Sequence, residues 1–456
     1  MTRLRDWVGQ LSAAWTWSEW RPGRRRMNQA FRLGIETRRR FNALSEQEQA
    51  AEMLKSLQAI VRHARSSVPF YSNLMRDLPS DFPASFADYR KLTPLDKTAI
   101  RSEQDRLLSA LWPENQLIHD ATGGSTGEPV VIYSSPEDLG WKLSGQQYYQ
   151  SLLGCPHGSR IATLYGGELD VTATPSRQAR LKNWLSNYSP HGCFRLDEPY
   201  LMEVHRAFSR FQPDMIVAYA SAVHLLAITL EQNNQHPTYP RKVIVTGAEK
   251  LESHQRAAVE RVFSVPVVER YGSRDVSMMA YQIPGHGNDF WVDRCYCLIE
   301  PDGSPDEHGQ APILVTTLRN HAMPLLRYRI DDIGGFTRDW HPARPAIRLA
   351  SVLGRVLDYI YLPDNRRVHS SEFPHLFKDF DVVAYHIVQD ANGDVLVNVV
   401  PGPRHTEGER QKTERIIQDN LTGVRVTFQY LDQLERTTGH AKLRPVVSFC
   451  RPDSYQ

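Results

Sequence analysis

Between residues 161 and 268 the sequence alternates short apolar segments with helical patterns, and this order restricts the fold more than any other feature. The segments at 161–165, 215–219, 243–245 and 267–268 are continuously apolar, which predicts buried strands. Helical spacing separates them, most clearly over 251–263. Strands joined by helices in this way form a parallel sheet that helices cover. The chain is therefore predicted to be an α/β protein.

Ligands of open parallel sheets bind at the carboxyl ends of the strands. The residues just past each predicted strand are therefore candidates for ligand contacts, and Ser221 is also predicted to cap the helix that follows it. These candidates are Gly166 and Gly167 after the first strand, Gly247, Ala248 and Glu249 after the third, and Tyr271, Gly272, Ser273, Arg274 and Asp275 after the fourth.

A glycine-rich segment at 122–129 is a second candidate site. Its glycines allow successive backbone N–H groups to converge on an anion, and its hydroxyl groups add donors, so a nucleotide phosphate is the expected ligand. It is not a P-loop, because no Lys-Ser or Lys-Thr follows it, and the strands predicted at 117–119 and 130–133 make it the tip of a hairpin. A plain surface turn is the alternative. The segment reads Thr122, Gly123, Gly124, Ser125, Thr126, Gly127, Glu128, Pro129.

Length and composition exclude several classes of protein. The 456 residues predict more than one domain, and a net charge of +2 gives no overall electrostatic case for nucleic-acid binding. Five cysteines fit reduced thiols better than a disulfide framework. No apolar run reaches 18 residues and no signal peptide is apparent, so a cytoplasmic location is expected.

The first forty residues combine tryptophans with arginines. One interpretation is peripheral contact with an anionic membrane surface, and the other is a helical preface that packs its tryptophans and solvates its arginines. A capping box at 45–48 then begins a helix predicted to end near 67–69. The residues concerned are Trp7, Trp15, Trp17, Trp20, Arg21, Arg24, Arg25, Arg26, Arg32, Arg38, Arg39 and Arg40.

The pattern of predicted secondary structure changes after residues 354–358. Strands predicted at 382–388, 395–400 and 424–430, with a helix at 407–420, indicate an α+β module of about a hundred residues. The predicted organisation is an N-terminal domain over 1–353, including a helical preface of about 1–115, a hinge over 354–358 and a C-terminal domain over 359–456.

Several short motifs, in their order, resemble those of the adenylate-forming ligases, within the phenylacetate–CoA ligase and CapK-like branch. Each motif is weak alone, but their common order makes coincidence improbable. The motifs are residues 61–64 with 67–71, the glycine segment, Gly247-Ala248-Glu249, Tyr271-Gly272, Leu326-Arg327-Tyr328-Arg329, Gly354-Arg355, and Thr437-Thr438-Gly439 leading to Lys442.

The resemblance implies a large AMP-binding and acyl-binding domain and a small C-terminal lid that rotates between two half-reactions. It implies ATP, Mg²⁺ and CoA as reactants and cofactor. The enzyme would convert a carboxylic acid into an acyl-adenylate and then form a thioester with CoA. Residues 122–127 would hold the β- and γ-phosphates. Gly247, Ala248, Glu249, Tyr271, Gly272 and Ser273 would complete the nucleotide site.

The resemblance also assigns charged residues. Asp275 stands where the family has its Mg²⁺ ligand, and Asp332 stands where an aspartate binds the ribose hydroxyls. Arg355 would lie near the ribose and phosphates, and Lys442 would neutralise charge during adenylation. The sequence departs from the family at four places: Arg274-Asp275 replace Thr-Glu, Asp331 replaces Gly, Leu357 replaces the first hinge acid, and Ala441 replaces the Gly before the lysine.

Tyr165, Gly166, Tyr219, Ala220 and Ser221 fall where relatives line the acyl pocket, and small residues beside tyrosine rings favour a flat aromatic acid. Two other functions stay open. One is an adenylating enzyme that passes the acyl group to an amine, a sugar hydroxyl or a carrier protein in a cell-surface polysaccharide or natural-product pathway. The other is a non-catalytic nucleotide-binding protein whose N-terminus docks on a membrane.

Overall fold

The computed structural model describes residues 22–121, 130–165, 177–193, 196–337, 340–355, 359–363, 367–369, 373, 377, 380–402, 405–432, 434 and 446–450. The chain divides into two compact units, Met1–Leu353 and Gly354–Gln456. None of the described helices is long and apolar enough to cross a membrane.

The first unit is built on one mixed sheet of eleven strands in the order β10-β11-β12-β13-β9-β8-β7-β6-β5-β3-β4. A separate hairpin pairs β1 with β2, as the sequence predicts. The elements are α1 Pro22–Asn42, α2 Glu46–Ser67, α3 Pro69–Leu74, α4 Phe86–Tyr89, α5 Lys97–Ser102, β1 Ile118–Ala121, β2 Val131–Ser134, α6 Pro136–Leu152, β3 Ile161–Leu164, α7 Arg177–Leu185, β4 Tyr188–His191, α8 Glu198–Phe211, β5 Met215–Ala218, α9 Ala220–Gln232, β6 Val243–Gly247, α10 Ser253–Phe263, β7 Val267–Ser273, β8 Ser277–Tyr281, β9 Phe290–Val292, β10 Cys297–Pro301, β11 Gln310–Thr317, β12 Tyr328–Phe336 and β13 Arg348–Arg355.

The predicted parallel sheet is confirmed for the four neighbouring strands β3, β5, β6 and β7, and β4, which was not predicted, pairs in parallel with β3. Their residues alternate between two cores. Ile216 and Ile244 belong to the cluster that includes residues of α8, α9 and α10, whereas Val217 and Val245 belong to a smaller cluster with Tyr149 of α6. Both faces are covered, which is why these strands read as continuous apolar runs.

Helix α1 packs closely along α6 because small residues lie at the contact. A Cβ added to Gly140 would collide with the backbone of Met27, and one added to Gly34 would collide with Ser144. At this contact Arg38 is buried, with 2% of its side chain exposed, and it forms an ion pair with Asp293 at 2.7 Å. The expectation that the N-terminal arginines are all solvated is therefore wrong for Arg38, because the buried carboxylate of Asp293 neutralises the charge of its guanidinium. The tryptophans of the preface lie outside the described residues.

The second unit contains a four-stranded sheet in the order β18-β17-β16-β19 and a two-stranded sheet of β14 and β15. Its core gathers Ile387, Val397 and Ile417. The helix predicted at 407–420 is confirmed at both ends, and a capping box on Thr406 begins it. The elements are β14 Tyr359–Tyr361, β15 Arg367–His369, β16 Val382–Gln389, β17 Val395–Pro401, α11 Glu407–Asn420, β18 Val426–Tyr430 and β19 Val446–Ser448.

Candidate active site

Four residues lie together at the carboxyl edge of the parallel strands, where the ligand is predicted to bind. Tyr165 follows β3 and Tyr219 follows β5, and their rings lie 4.2 Å apart between centroids. The guanidinium of Arg270, on β7, lies 5.5 Å from the Tyr165 ring centroid. Gly247 ends β6 directly opposite Arg270 in the strand register. This edge therefore presents two tyrosine rings and one cation.

Two tyrosine–carboxylate hydrogen bonds lie beside that edge. The hydroxyl of Tyr271 donates to Asp332 Oδ2 at 2.8 Å, and the hydroxyl of Tyr328 donates to Asp275 Oδ2 at 2.6 Å. Burial raises the pKa of Tyr328, and the carboxylates of Asp275 and Asp332 raise it further, so its hydroxyl remains a proton donor. The structure thus brings together Tyr271, Asp332 and Asp275, which come from distant parts of the sequence.

The backbone around Gly272 and Ser273 fixes where Asp275 lies. A Cβ at Gly272 would lie 2.5 Å from the carbonyl oxygen of Ser277, so only glycine fits at this irregular point of the β7–β8 pairing. Ser273 Oγ accepts a hydrogen bond from the N–H of Val276 at 3.2 Å and closes the turn between the strands. Asp275 is held inside this turn with 6% exposure.

Ala248 and Glu249 form the connection that leaves β6. Ala248 has φ +67°, in the left-handed region that non-glycine residues seldom adopt, which is typical of a constrained functional loop. Glu249 Oε2 accepts the backbone N–H of Ser221 at 2.9 Å, at the start of α9. The prediction that Ser221 caps α9 is wrong, because the cap position is Tyr219 and Ser221 lies within the first turn. Glu249 provides the acceptor that a capping side chain would have supplied.

Asp331 precedes Asp332 in β12 and also has a left-handed backbone, with φ +66°. This conformation explains why glycine suits the position, and Asp331 is accommodated with a partner: Lys97 Nζ lies 2.5 Å from its Oδ2. Lys97 comes from α5, which the sequence analysis did not connect with the site. The pair places a cation and an anion next to the Tyr271–Asp332 hydrogen bond.

The chain resembles known proteins in sequence as well as in fold, although no family model matches it. It is 22% identical over 348 residues to Protein CapK of Staphylococcus aureus, covering 74% of this chain and 75% of that protein. It is 26% identical over 339 residues to the phenylacetate–coenzyme A ligase of Aromatoleum evansii, covering 70% and 73%. These relatives support the resemblance to the adenylate-forming ligases, in the branch of CapK and phenylacetate–CoA ligase.

Solved structures of adenylate-forming ligases share the fold. The structure of 2-hydroxyisobutyryl-CoA ligase in the postadenylation state, in complex with 2-HIB-AMP, superposes with a TM-score of 0.67. The match covers 90% of this chain and 91% of that chain at 15% identity. At that identity the likeness establishes the α/β fold alone.

Several residues to which the resemblance assigns a role lie outside the described part of the chain. They are Thr122, Gly123, Gly124, Ser125, Thr126, Gly127, Gly166, Leu357 and Lys442. Arg355 is the last residue of β13, and its assignment as a catalytic residue stays a prediction.

The described residues contain no group of three or more His, Cys, Asp or Glu side chains that would hold a metal ion by themselves. Mg²⁺ at nucleotide sites commonly takes one or two carboxylates and completes its shell with phosphates and water. The single buried carboxylate of Asp275, oriented by Tyr328, fits that requirement.

Three residues near the site were missed as contributors from the sequence: Arg270, Tyr328 and Lys97. The sequence does offer a signal for Arg270: a cation two residues after the buried Val268, on a strand whose first residues are apolar, needs a reason. Tyr328 was quoted within a motif but given no role. Lys97 has no local signal, because only the tertiary structure brings α5 against β12.

Proposed function

We propose that this chain uses ATP to convert a carboxylic acid into an acyl-adenylate and then forms a thioester with CoA. The observation that carries the proposal is the pair of hydrogen bonds Tyr271–Asp332 and Tyr328–Asp275 at the edge of the parallel strands. The relatives named phenylacetate–coenzyme A ligase support it.

Asp332 would bind the ribose of ATP. A carboxylate accepts two O–H donors at once, and the Tyr271 hydroxyl fixes its orientation by donating to one oxygen. In this proposal the carboxylate also accepts hydrogen bonds from the ribose hydroxyls. Because the acceptor is oriented before the nucleotide binds, little ordering cost remains on binding.

Asp275 would hold Mg²⁺, whose charge when bound would stabilise the β- and γ-phosphates. Tyr328 keeps the Asp275 carboxylate in one orientation. The backbone N–H groups and hydroxyls of residues 122–127 would bind the same phosphates, and Arg355 and Lys442 would neutralise charge as the acid attacks the α-phosphate.

The acid would lie at Tyr165, Tyr219, Ala220 and Ser221, with Gly166 beside them. The two tyrosine rings, whose centroids lie 4.2 Å apart, provide aromatic contacts that favour an aromatic acid. The acid would attack the α-phosphate in line with pyrophosphate as the leaving group. The thiol of CoA would then attack the acyl carbon and release AMP.

The test is pyrophosphate release with Mg²⁺-ATP across a panel of aryl and alkyl acids, each with and without CoA. Release that depends on one acid, together with acyl-CoA, is the expected result. Asp332→Ala should lower kcat/KM for ATP about 100-fold, because two hydrogen bonds to a charged group are lost. Asp77→Ala, an exposed aspartate on another surface, is the matched control. An Asp332→Ala variant as active as wild type would contradict the ribose assignment.

A second function has a specific observation in its favour. Leu357 stands where the resemblance expects the hinge acid that admits the thiol step, so the acyl group would pass instead to an amine, a hydroxyl or a carrier protein. Acid-dependent pyrophosphate release without a thioester, despite CoA, would favour this function. Absence of release with every acid would favour a non-catalytic nucleotide-binding protein.

A further inference from the structure

Arg270 lies on the face of the sheet that α6 covers, above an apolar cluster. Val268, two residues earlier on the same face of β7, is buried in that cluster with Val217 and Val245 of the neighbouring strands. Arg270 is the next residue on this face of β7, so a charged guanidinium follows the apolar side chains. A small cleft here is lined by Arg270 together with Gln146, Tyr149 and Gln150 of α6.

The chain makes room for the Arg270 side chain. A Cβ at Gly247 would lie 3.0 Å from Arg270 Cγ and 3.3 Å from its Nε, so the side chain runs across the end of β6 where no other side chain stands. Its far end lies over the ring of Tyr165. The glycine and the tyrosine together hold the guanidinium at the edge where the acid is proposed to bind.

No carboxylate of the described residues forms an ion pair with Arg270, although the glutamate next to it in the sequence pairs with another arginine. The adjacent Glu269 is bound to Arg256 at 3.0 Å and to the N–H of Leu251 at 3.1 Å. The described residues that line the cleft include no aspartate or glutamate. A half-buried arginine normally has an anionic or carbonyl partner, because its five donors are costly to desolvate. Among the described residues, the cleft therefore has a cation and two amide side chains and no anionic side chain.

We propose that the acid substrate carries a second carboxylate, which binds Arg270. Consecutive residues of a strand point to opposite faces, so Arg270 and Tyr271 face opposite sides of the sheet. The reacting carboxylate would lie on the side of Tyr271 and Asp332. The second carboxylate would cross the edge at Gly247 and form a bidentate pair with the guanidinium. This inference rests on the proposed function and narrows its substrate class to dicarboxylic acids.

In this proposal the rings of Tyr165 and Tyr219 lie between these two ends. The Tyr165 ring centroid is 4.2 Å from that of Tyr219 and 5.5 Å from the Arg270 guanidinium. A flat spacer between the two carboxylates would lie beside these rings. The amide groups of Gln146 and Gln150 would supply donors for the carboxylate oxygens that the guanidinium leaves unpaired.

The experiment compares matched acids on the full chain. The pairs are terephthalate against 4-methylbenzoate and glutarate against pentanoate, tested with wild type, Arg270→Met and Arg270→Lys. Acid-dependent pyrophosphate release gives kcat/KM, and isothermal titration calorimetry gives binding of the same acids. Arg261→Met removes an exposed arginine that pairs with Glu231 on the helical surface, and it is the matched control.

In wild type the dicarboxylate of at least one pair should be preferred about tenfold or more, because a charge-assisted bidentate bond is lost with the monocarboxylate. Arg270→Met should abolish that preference, Arg270→Lys should retain part of it, and Arg261→Met should leave it unchanged. Equal use of both acids by wild type, with no change in Arg270→Met, would overturn the inference and leave the proposed ligase intact.

The two proposals fail in distinguishable ways. Calorimetric binding of a dicarboxylate that disappears in Arg270→Met, without pyrophosphate release from any acid, would support the anion site and reject the ligase. Absence of both release and Arg270-dependent binding would overturn both. The melting temperature of each variant, compared with wild type, separates loss of binding from loss of fold.

Discussion

Arg38 and Arg270 occupy two regions of the same unit that treat an arginine in opposite ways. At the contact of α1 with α6, Arg38 is buried and all of its nitrogen atoms have hydrogen-bond partners. Its Nε and Nη2 donate to the carboxylate of Asp293. Further hydrogen bonds are accepted by Ser144 Oγ and by the carbonyls of Gly34 and Trp141. At the carboxyl edge, Arg270 has a ring beneath it and a glycine beside it, with no anion among the described residues.

The difference separates a structural charge from one available to a ligand. Burial alone would lower the pKa of Arg38, but the carboxylate of Asp293 more than compensates and the pKa is raised, so the pair is charged in the folded protein. A saturated arginine has no donor left for a substrate. An arginine held by a ring and a glycine keeps its donors, and that makes it the better candidate for recognition.

The largest effect is expected for Arg38→Met. The free energy of unfolding should fall by about 3–5 kcal/mol, because Asp293 would be left buried and unpaired. Urea unfolding at pH 7 measures it. The double variant Arg38→Met/Asp293→Leu should recover most of the loss, since it removes the orphaned charge. A loss below about 1 kcal/mol in the single variant would remove the basis for calling Arg38 structural.

Tyr328→Phe should have the next largest effect. It removes a buried hydrogen bond to the Asp275 carboxylate, so the free energy of unfolding should fall by about 1.5–3 kcal/mol. The control is Tyr149→Phe, whose hydroxyl donates to the neutral carbonyl of Gln282 and should cost about 0.5–1.5 kcal/mol. If the two variants lose equal stability, the Asp275 carboxylate is not the special partner that the candidate site requires.

A smaller effect is expected from acidification near the same edge. Burial, together with the smaller effect of neighbouring His254, lowers the pKa of His224, on α9, from an ordinary value of 6.5 to about 4. Between those values the unfolded chain binds a proton that the folded chain does not, so stability falls as the pH drops from 6.5 to 4. After allowance for solvent screening the loss is about 1 kcal/mol.

His224→Gln should remove that part of the pH dependence, which urea unfolding at pH 7 and pH 4.5 would measure. The control is His286→Gln, since His286 is exposed. A His224→Gln protein that loses as much stability on acidification as wild type would place the acid sensitivity in other groups.

The smallest effect is expected for Arg270→Met. Its free energy of unfolding should stay within about 0.5 kcal/mol of wild type, because no ion pair or hydrogen bond of the described residues is lost. Thermal unfolding beside Arg38→Met tests the comparison directly. A loss comparable to that of Arg38→Met would mean that both arginines stabilise the fold, and the contrast between the two regions would disappear.

Local patterns in the sequence were sufficient for several of the elements. Apolar runs predicted β3, β5 and β6, a capping box predicted the start of α2, and helical spacing predicted α11 at both of its ends. Those signals are local because helix and strand periodicity, capping and turn chemistry depend on residues only a few positions apart. The α/β class and the relation to the adenylate-forming ligases follow from the same short stretches taken in order.

Only the tertiary structure decided which polar groups meet. Arg38 and Asp293 are 255 positions apart, Tyr271 and Asp332 are 61 apart, and the sequence offers no pattern that pairs them. The prediction that Ser221 caps α9 was wrong for this reason, since Glu249 supplies the acceptor from another connection. Sequence patterns specify which residues are buried, whereas the partner of a buried charge depends on how distant elements pack, and here that packing separates Arg38 from Arg270.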